Sequence, residues 1–179
     1  MNHFLAGALV ALALATAPAH ADDASGMSAA ANGFYGVYRT FHPSDGVPGD
    51  SDRAKYEPFI SPGLDALLKQ AGEAEARFAK ANKDSPPLIE GDLFSSLFEG
   101  ATAVSVGSCT ADRAARTGKC VANLVYTDPR SKPTNWNDTL LLVRTPDGWK
   151  VDDIVYGGNW AFGNKGKLSE TLKQAISFQ

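Results

Sequence analysis

Thr139-Leu-Leu-Leu-Val-Arg144, then Thr145-Pro-Asp-Gly148, then Trp149-Lys-Val-Asp-Asp-Ile-Val-Tyr156 is the stretch that decides the fold. Two apolar runs rich in β-branched and aromatic residues flank a Pro-Asp-Gly turn, which is the pattern of a tight antiparallel hairpin. Upstream the same period continues. Thr102 to Cys109 and Cys120 to Thr127 read as two further strands, with Asp128 to Asp138 as the loop before the third. Four strands in sequence, each joined to the next, predict an antiparallel meander.

The segments before the strands have the helical period instead. Asp22 to Gly26 reads as a frayed start. Met27, Ala30, Ala31, Phe34, Val37, Tyr38 and Phe41 then share one face of a helix over 27–41, which carries Gly33 and Gly36 as weak points. Pro43 to Asp52 reads as a loop. Ser61 caps a second helix with Pro62 at its first position; its stripe is Leu64, Leu67, Leu68, Ala71, Ala74, Phe78 and Ala81, and Gly72 is a point where it can kink. Asp84 to Pro87 ends it. Asp92 to Phe98 reads as a short helix capped by Asp92, Gly157 to Gly166 as a loop, and Leu168 to Phe178 as a last helix with Leu168, Leu172, Ala175 and Ile176 inward. Helices first and a strand meander afterwards predict an α+β domain: N-terminal helices packed on a curved sheet of about four strands, and a short C-terminal helix.

The first 21 residues read as a secretory signal peptide. Phe4 to Ala17 is apolar or small, Ala19-His20-Ala21 fits a signal-peptidase site, and Asp22-Asp23 follows. The α-amino group and His3 are the only cationic groups ahead of the apolar run. Cleavage between Ala21 and Asp22 takes 21 of the 179 residues and leaves 158, a length suited to a single domain over 22–179. No cysteine for lipid attachment sits at the site, so the expected location is the periplasm, with no stable membrane insertion after cleavage. Two cysteines in an exported chain predict a disulfide. Cys109 and Cys120 sit at facing strand ends with ten residues between them, and closing that loop stabilises by about 2–3 kcal/mol in the chain-entropy description.

Composition excludes several functions. The net charge is -3 with both signs mixed, so there is no basic footprint for nucleic acid. After cleavage His42 is the only histidine, and it lies in a Pro/Gly-rich segment without a nucleophile motif. A metal centre and a Ser-His-Asp site are therefore not expected, and no cofactor is implied.

The closing hairpin, Leu140 to Ile154 with Tyr156, resembles that of the nuclear transport factor 2-like, or cystatin-like, cone fold. Phe59-Ile-Ser-Pro62 opening a Leu-rich helix, Gly91-Asp-Leu-Phe94 and the helix after Tyr156 are similar to an uncharacterised family of bacterial periplasmic proteins and lipoproteins. The resemblance implies a bent sheet wrapping a helix, a scaffold that hosts isomerases and dehydratases as well as binding domains. The cysteine-clamped loop and the long second helix depart from the general fold.

Strict alternation in the last strand puts Trp149, Val151, Asp153 and Val155 on one face, and Lys150, Asp152, Ile154 and Tyr156 on the other. If the first face lines the cone, Asp153 is a desolvated base, with Asp152 as its substitute and Tyr126 or Tyr156 as hydroxyl donor. The plainer reading leaves both aspartates solvated or bonded to a loop. Trp136 and Trp160 fall in loops, either closing the core or forming a contact surface. Asp92 reads as a helix cap to which the resemblance adds interest. Arg113 and Arg116, with Lys119, make the clamped loop basic: a solvated loop or a site for an acidic partner. The chain is thus expected to be a non-enzymatic exported protein that binds an envelope protein or a small apolar ligand, an immunity-type protein being one such case. The alternative is a cone-fold enzyme of the isomerase or dehydratase kind.

Overall fold

The structure of the protein is a computed structural model that describes residues 19–40, 46–114 and 116–178, with side chains from residue 23 onward. It is an α+β fold. Among the described residues, four helices accompany one open four-stranded sheet: α1 (Ala19–Thr40), α2 (Asp50–Tyr56), α3 (Pro62–Ala81), β1 (Ala103–Asp112), β2 (Thr117–Tyr126), β3 (Thr134–Thr145), β4 (Gly148–Val155) and α4 (Leu168–Ser177). The sheet is an antiparallel meander in the order β1-β2-β3-β4. Most of the expected signal peptide, residues 1–18, lies outside the described residues, as do Phe41 and His42. No helix of the described residues is long and apolar enough to cross a membrane.

The helix α1 packs against β1, β2 and β4. Its buried residues Met27, Ala30, Ala31, Phe34, Tyr35 and Tyr38 recur at three- and four-residue steps, so one stripe meets the sheet. The stripe gains Tyr35, which the sequence pattern did not single out, and Val37 is only half-buried. Residues 22–26 are helical rather than frayed, because Asp23 is held in place. Its carboxylate accepts from Arg113 Nε, Arg144 Nη1 and Trp149 Nε1, each at 3.2 Å. The backbone of the expected cleavage site, Ala19 to Ala21, forms the first residues of this helix. Gly33 is explained by a close approach: a Cβ there would run into the Phe59 ring.

Ser61 caps α3 as its sequence indicates, accepting from Leu64 N at 3.0 Å, and the helix runs unbroken through Gly72. Of the expected stripe, Leu64, Leu68, Ala71 and Ala74 are buried and Ala81 is exposed. The helix α2 replaces the end of the expected loop. It buries only Tyr56, so no apolar stripe announces it; its signal is charge, with Asp50 and Asp52 in the first turn and Arg53 and Lys55 in the last.

The β3–β4 hairpin turns at Pro146-Asp147, with Thr145 paired to Gly148. Further along, the register shifts. Leu142 pairs with Val151 but Leu141 with Asp153, so Asp152 is an extra residue. This bulge flips the face of everything after it. Trp149 and Val151 point to the core, and so do Ile154 and Tyr156, whereas Asp153, itself buried, shares the other face with its partner Leu141. Strict alternation along β4 is thereby corrected. The free edge of β4 is covered: Ser61 N donates to Val151 O and Val151 N to Phe59 O, both at 2.8 Å, and Tyr156 N donates to Gly166 O at 3.1 Å.

Cys109 and Cys120 are direct cross-strand partners and form a disulfide. Cys120 is fully buried, and Cys109 shares a surface cavity with Asp23, Ala24 and Met27 of α1, so the clamp ties the outermost strand to the core.

Candidate partner-binding surface

The segment Gly91-Asp-Leu-Phe-Ser-Ser-Leu97 is buried at every residue. It is not the short helix expected over 92–98. Asp92 does not cap a helix; its Oδ1 accepts from Phe94 N at 2.7 Å, two residues on, which makes an Asx turn. In sequence, an aspartate before an apolar run looks the same in either case. What selects the turn is the other oxygen, which accepts from the Tyr38 hydroxyl and from Ser95 Oγ. The neck of the loop is closed by Asp92 N donating to Phe98 O at 2.8 Å, and Gly91 there has φ 74°.

A buried loop must place its backbone polar groups somewhere. Here they go to side chains from other elements. Tyr156 Oη donates to Leu93 O at 2.7 Å. Asn164 Nδ2 donates to Asp92 O at 2.6 Å and to Ser95 O at 2.7 Å, and Asn164 N donates to Ser96 O at 2.9 Å. Asp138, on β3 and fully buried, collects four neutral donors: Ser96 N at 2.9 Å, Ser96 Oγ, Gly157 N at 2.8 Å and Trp136 Nε1 at 3.2 Å. The apolar side chains of the loop fill the interior. Phe94 stacks edge-on to Phe34 at 5.2 Å and lies 5.0 Å from Tyr56. Leu93, Phe94 and Leu97 are thereby part of the packed core under the sheet.

The residues considered for acid–base chemistry are not brought together. Asp153 is buried, but on the face of β4 opposite Ile154, and its carboxylate accepts from Ser169 N at 2.9 Å and Ser169 Oγ at 2.7 Å, holding the N-terminus of α4. Asp152 Oδ1 accepts from Ser61 Oγ at 2.5 Å, which supports the cap of α3. The Tyr156 hydroxyl is used on Leu93. Tyr126 pairs with Thr134, seven positions along β3 from the Leu141 that pairs with Asp153, roughly 23 Å away by strand rise. Asp152 and Asp153 are helix anchors placed by one bulge.

Four tyrosines sit inside this packing. Burial is the first cause that raises the phenol pKa of Tyr35, Tyr38, Tyr56 and Tyr156, with the nearby Asp92 carboxylate adding to it. The hydroxyls of Tyr35 and Tyr56 have no partner among the described residues. Because the folded pKa values lie above the unfolded value of about 10, the unfolded chain releases protons first as the pH rises. Stability is therefore full below about pH 10 and falls above it, by up to about 1.4 kcal/mol per pH unit for each tyrosine. An alkaline titration followed together by phenolate absorbance and circular dichroism is expected to show these four ionising as the fold is lost. Their ionisation with an unchanged dichroism spectrum would contradict the packing described.

The two arginines of the clamped loop are engaged within the chain. Arg113 is bonded to Asp23, and Arg116, at φ 55°, directs Nη2 to Arg144 O at 3.4 Å. Trp136 is not in a loop but on β3, opposite Leu124 and buried. Trp160 does lie in a loop, the one over 156–167, and stacks edge-on against Trp136 at 5.2 Å. There the surface is apolar. Phe162 is 89% exposed and Phe98 41%, and with Trp160 and Leu97 they line a shallow groove of about 470 Å³ bordered by Glu90 and Glu99. Sequence reasoning found Trp160 but missed Phe98 and Phe162; an aromatic in Trp160-Ala-Phe162-Gly was the available signal. No group of three metal-ligating side chains occurs among the described residues.

No family model, curated protein or solved structure matches this chain.

The groove and the buried loop are one construction. Trp160 stands on Trp136, Trp136 donates to Asp138, and Asp138 holds Ser96 two residues before Phe98. Gly158 keeps the contact close, since a Cβ there would overlap Trp160. Trp160, between the exposed Phe98 and Phe162, is thus fixed from beneath, which lowers the ordering cost of binding at that ring.

Proposed function

We propose that this protein is a non-enzymatic binding protein of the cell envelope, released into the periplasm by cleavage between Ala21 and Asp22, that holds a protein partner on the Phe98–Trp160–Phe162 groove. The observation that carries this is an exposed aromatic surface, Phe98 and Phe162, built around a Trp160 that is held on Trp136, beside a packed core. Aromatic anchors on a fixed base are what binding hot spots consist of. The disulfide suits an oxidising compartment, and the cone-fold resemblance is compatible with an accessory domain. An apolar ligand enclosed within the cone has less support than a partner on the outside, because Leu93, Phe94 and Leu97 of the buried loop are part of the packed core under the sheet. An immunity-type role is a special case of the same surface.

The test is quantitative capture from envelope extract with the tagged mature protein and with a Phe98→Ser/Phe162→Ser variant. Both substitutions are at exposed positions, so the melting temperature is expected to change little. A protein retained by the unsubstituted chain and lost from the variant is the expected result. Indistinguishable capture by the two would count against the groove.

A further inference from the structure

We propose that the segment received by this groove is cationic as well as apolar: an extended stretch of a partner protein with Lys or Arg beside a large apolar side chain. The inference rests on the reading of the groove as the binding surface and adds the chemistry of the occupant. Glu90 and Glu99 border the groove, and no Lys or Arg lines it. A second shallow groove of about 330 Å³ begins on the other side of Glu90 and runs to Phe178, which is 59% exposed; no Lys or Arg lines it either. Neither carboxylate forms a salt bridge among the described residues. Lys165, in the loop that carries Phe162, is turned away onto Gly158 O at 3.2 Å and Asn159 Oδ1 at 3.4 Å.

An arriving cation therefore meets two carboxylates with no competing cation along the groove. It also meets the part-exposed Trp160 ring, the best aromatic partner for a positive charge. An acidic segment would meet the same carboxylates as repulsion, so the border selects as well as attracts. The two grooves on either side of Glu90 suit a segment that lies across them with its cation at the middle.

Three acetylated and amidated peptides that share a Leu-Phe centre, flanked by lysines, by serines or by glutamates, provide the test by calorimetric titration of the mature protein. The lysine peptide is expected to bind about ten-fold more tightly than the glutamate peptide, the size two border ion pairs carry. A Glu90→Gln/Glu99→Gln variant should lose that preference and keep its affinity for the serine peptide. Equal affinity for all three peptides would overturn the cationic preference and leave apolar docking in place. Binding of none, or binding unchanged by Phe98→Ser/Phe162→Ser, would overturn the groove reading and this inference together. Flotation with phosphatidylcholine vesicles while all three peptides are ignored would assign the aromatics to a lipid surface and overturn it as well.

Discussion

Phe94→Ala is expected to cost about 3–5 kcal/mol, the range for removing a large buried aromatic. The ring is fully buried and touches Phe34 and Tyr56, whose own positions depend on it. In a domain of this size that loss lowers the melting temperature by about 6–20 °C. There is a second consequence. The deletion opens an apolar cavity where the loop now fills the sheet's interior, and dry apolar cavities accept small aromatic molecules. Benzene should raise the melting temperature of the variant and leave the unsubstituted chain unaffected. A loss below about 1 kcal/mol would mean that the loop is not part of the packed core.

Asp138→Ala has an expected cost of similar size, about 3–5 kcal/mol, by another route, the orphaning of several buried donors. The carboxylate is fully buried and satisfies Ser96 N, Ser96 Oγ, Gly157 N and Trp136 Nε1 at once. Removing it leaves those donors without an acceptor, and each orphaned donor is penalised separately. Asn in its place keeps the shape and one acceptor oxygen, so its cost should be about 2 kcal/mol. Hydrogen exchange supplies the local check. The amides of Ser96, Gly157 and Gly158 should lose protection in the alanine variant before the β2–β3 ladder does. An alanine variant within about 0.5 kcal/mol of the parent would show that the site tolerates an empty acceptor position.

Both predictions concern contacts that the sequence could not display. The hairpin over 139–156, the capped start of α3 at Ser61-Pro62 and the clamp between Cys109 and Cys120 were legible because each depends on neighbours in the chain. The bulge at Asp152 was not. One inserted residue changes the face of Asp153, Ile154 and Tyr156, and alternation has no means of showing it. The 92–98 segment misled for a related reason. Asp92 offers its carboxylate to a nearby amide in a cap and in an Asx turn alike, and the choice was made by Tyr38, far away in sequence. The candidate site was half legible. Trp160 was found as a loop aromatic, but its support by Trp136 and Asp138 is tertiary, and Phe98 was assigned to the end of a helix that does not form. Arg113 looked free because its partner, Asp23, sat in a segment expected to fray.

The bulge also accounts for both aspartates considered as the base. Asp152 reaches back to Ser61 and Asp153 forward to Ser169, so one irregularity in β4 fixes the starts of both helices that flank the sheet edge. Their chemistry is spent on helix N-termini, where a carboxylate is stabilising.

The central claim is that the protein meets its partner through the outer aromatic groove rather than through its interior. Photo-cross-linking in the intact envelope tests this most directly, with a benzophenone amino acid placed at the exposed Phe162 and, as a control, at Asp147 in the β3–β4 turn. The account predicts a discrete protein adduct from position 162 and none from position 147. No adduct from 162, or the same adduct from both positions, would contradict it.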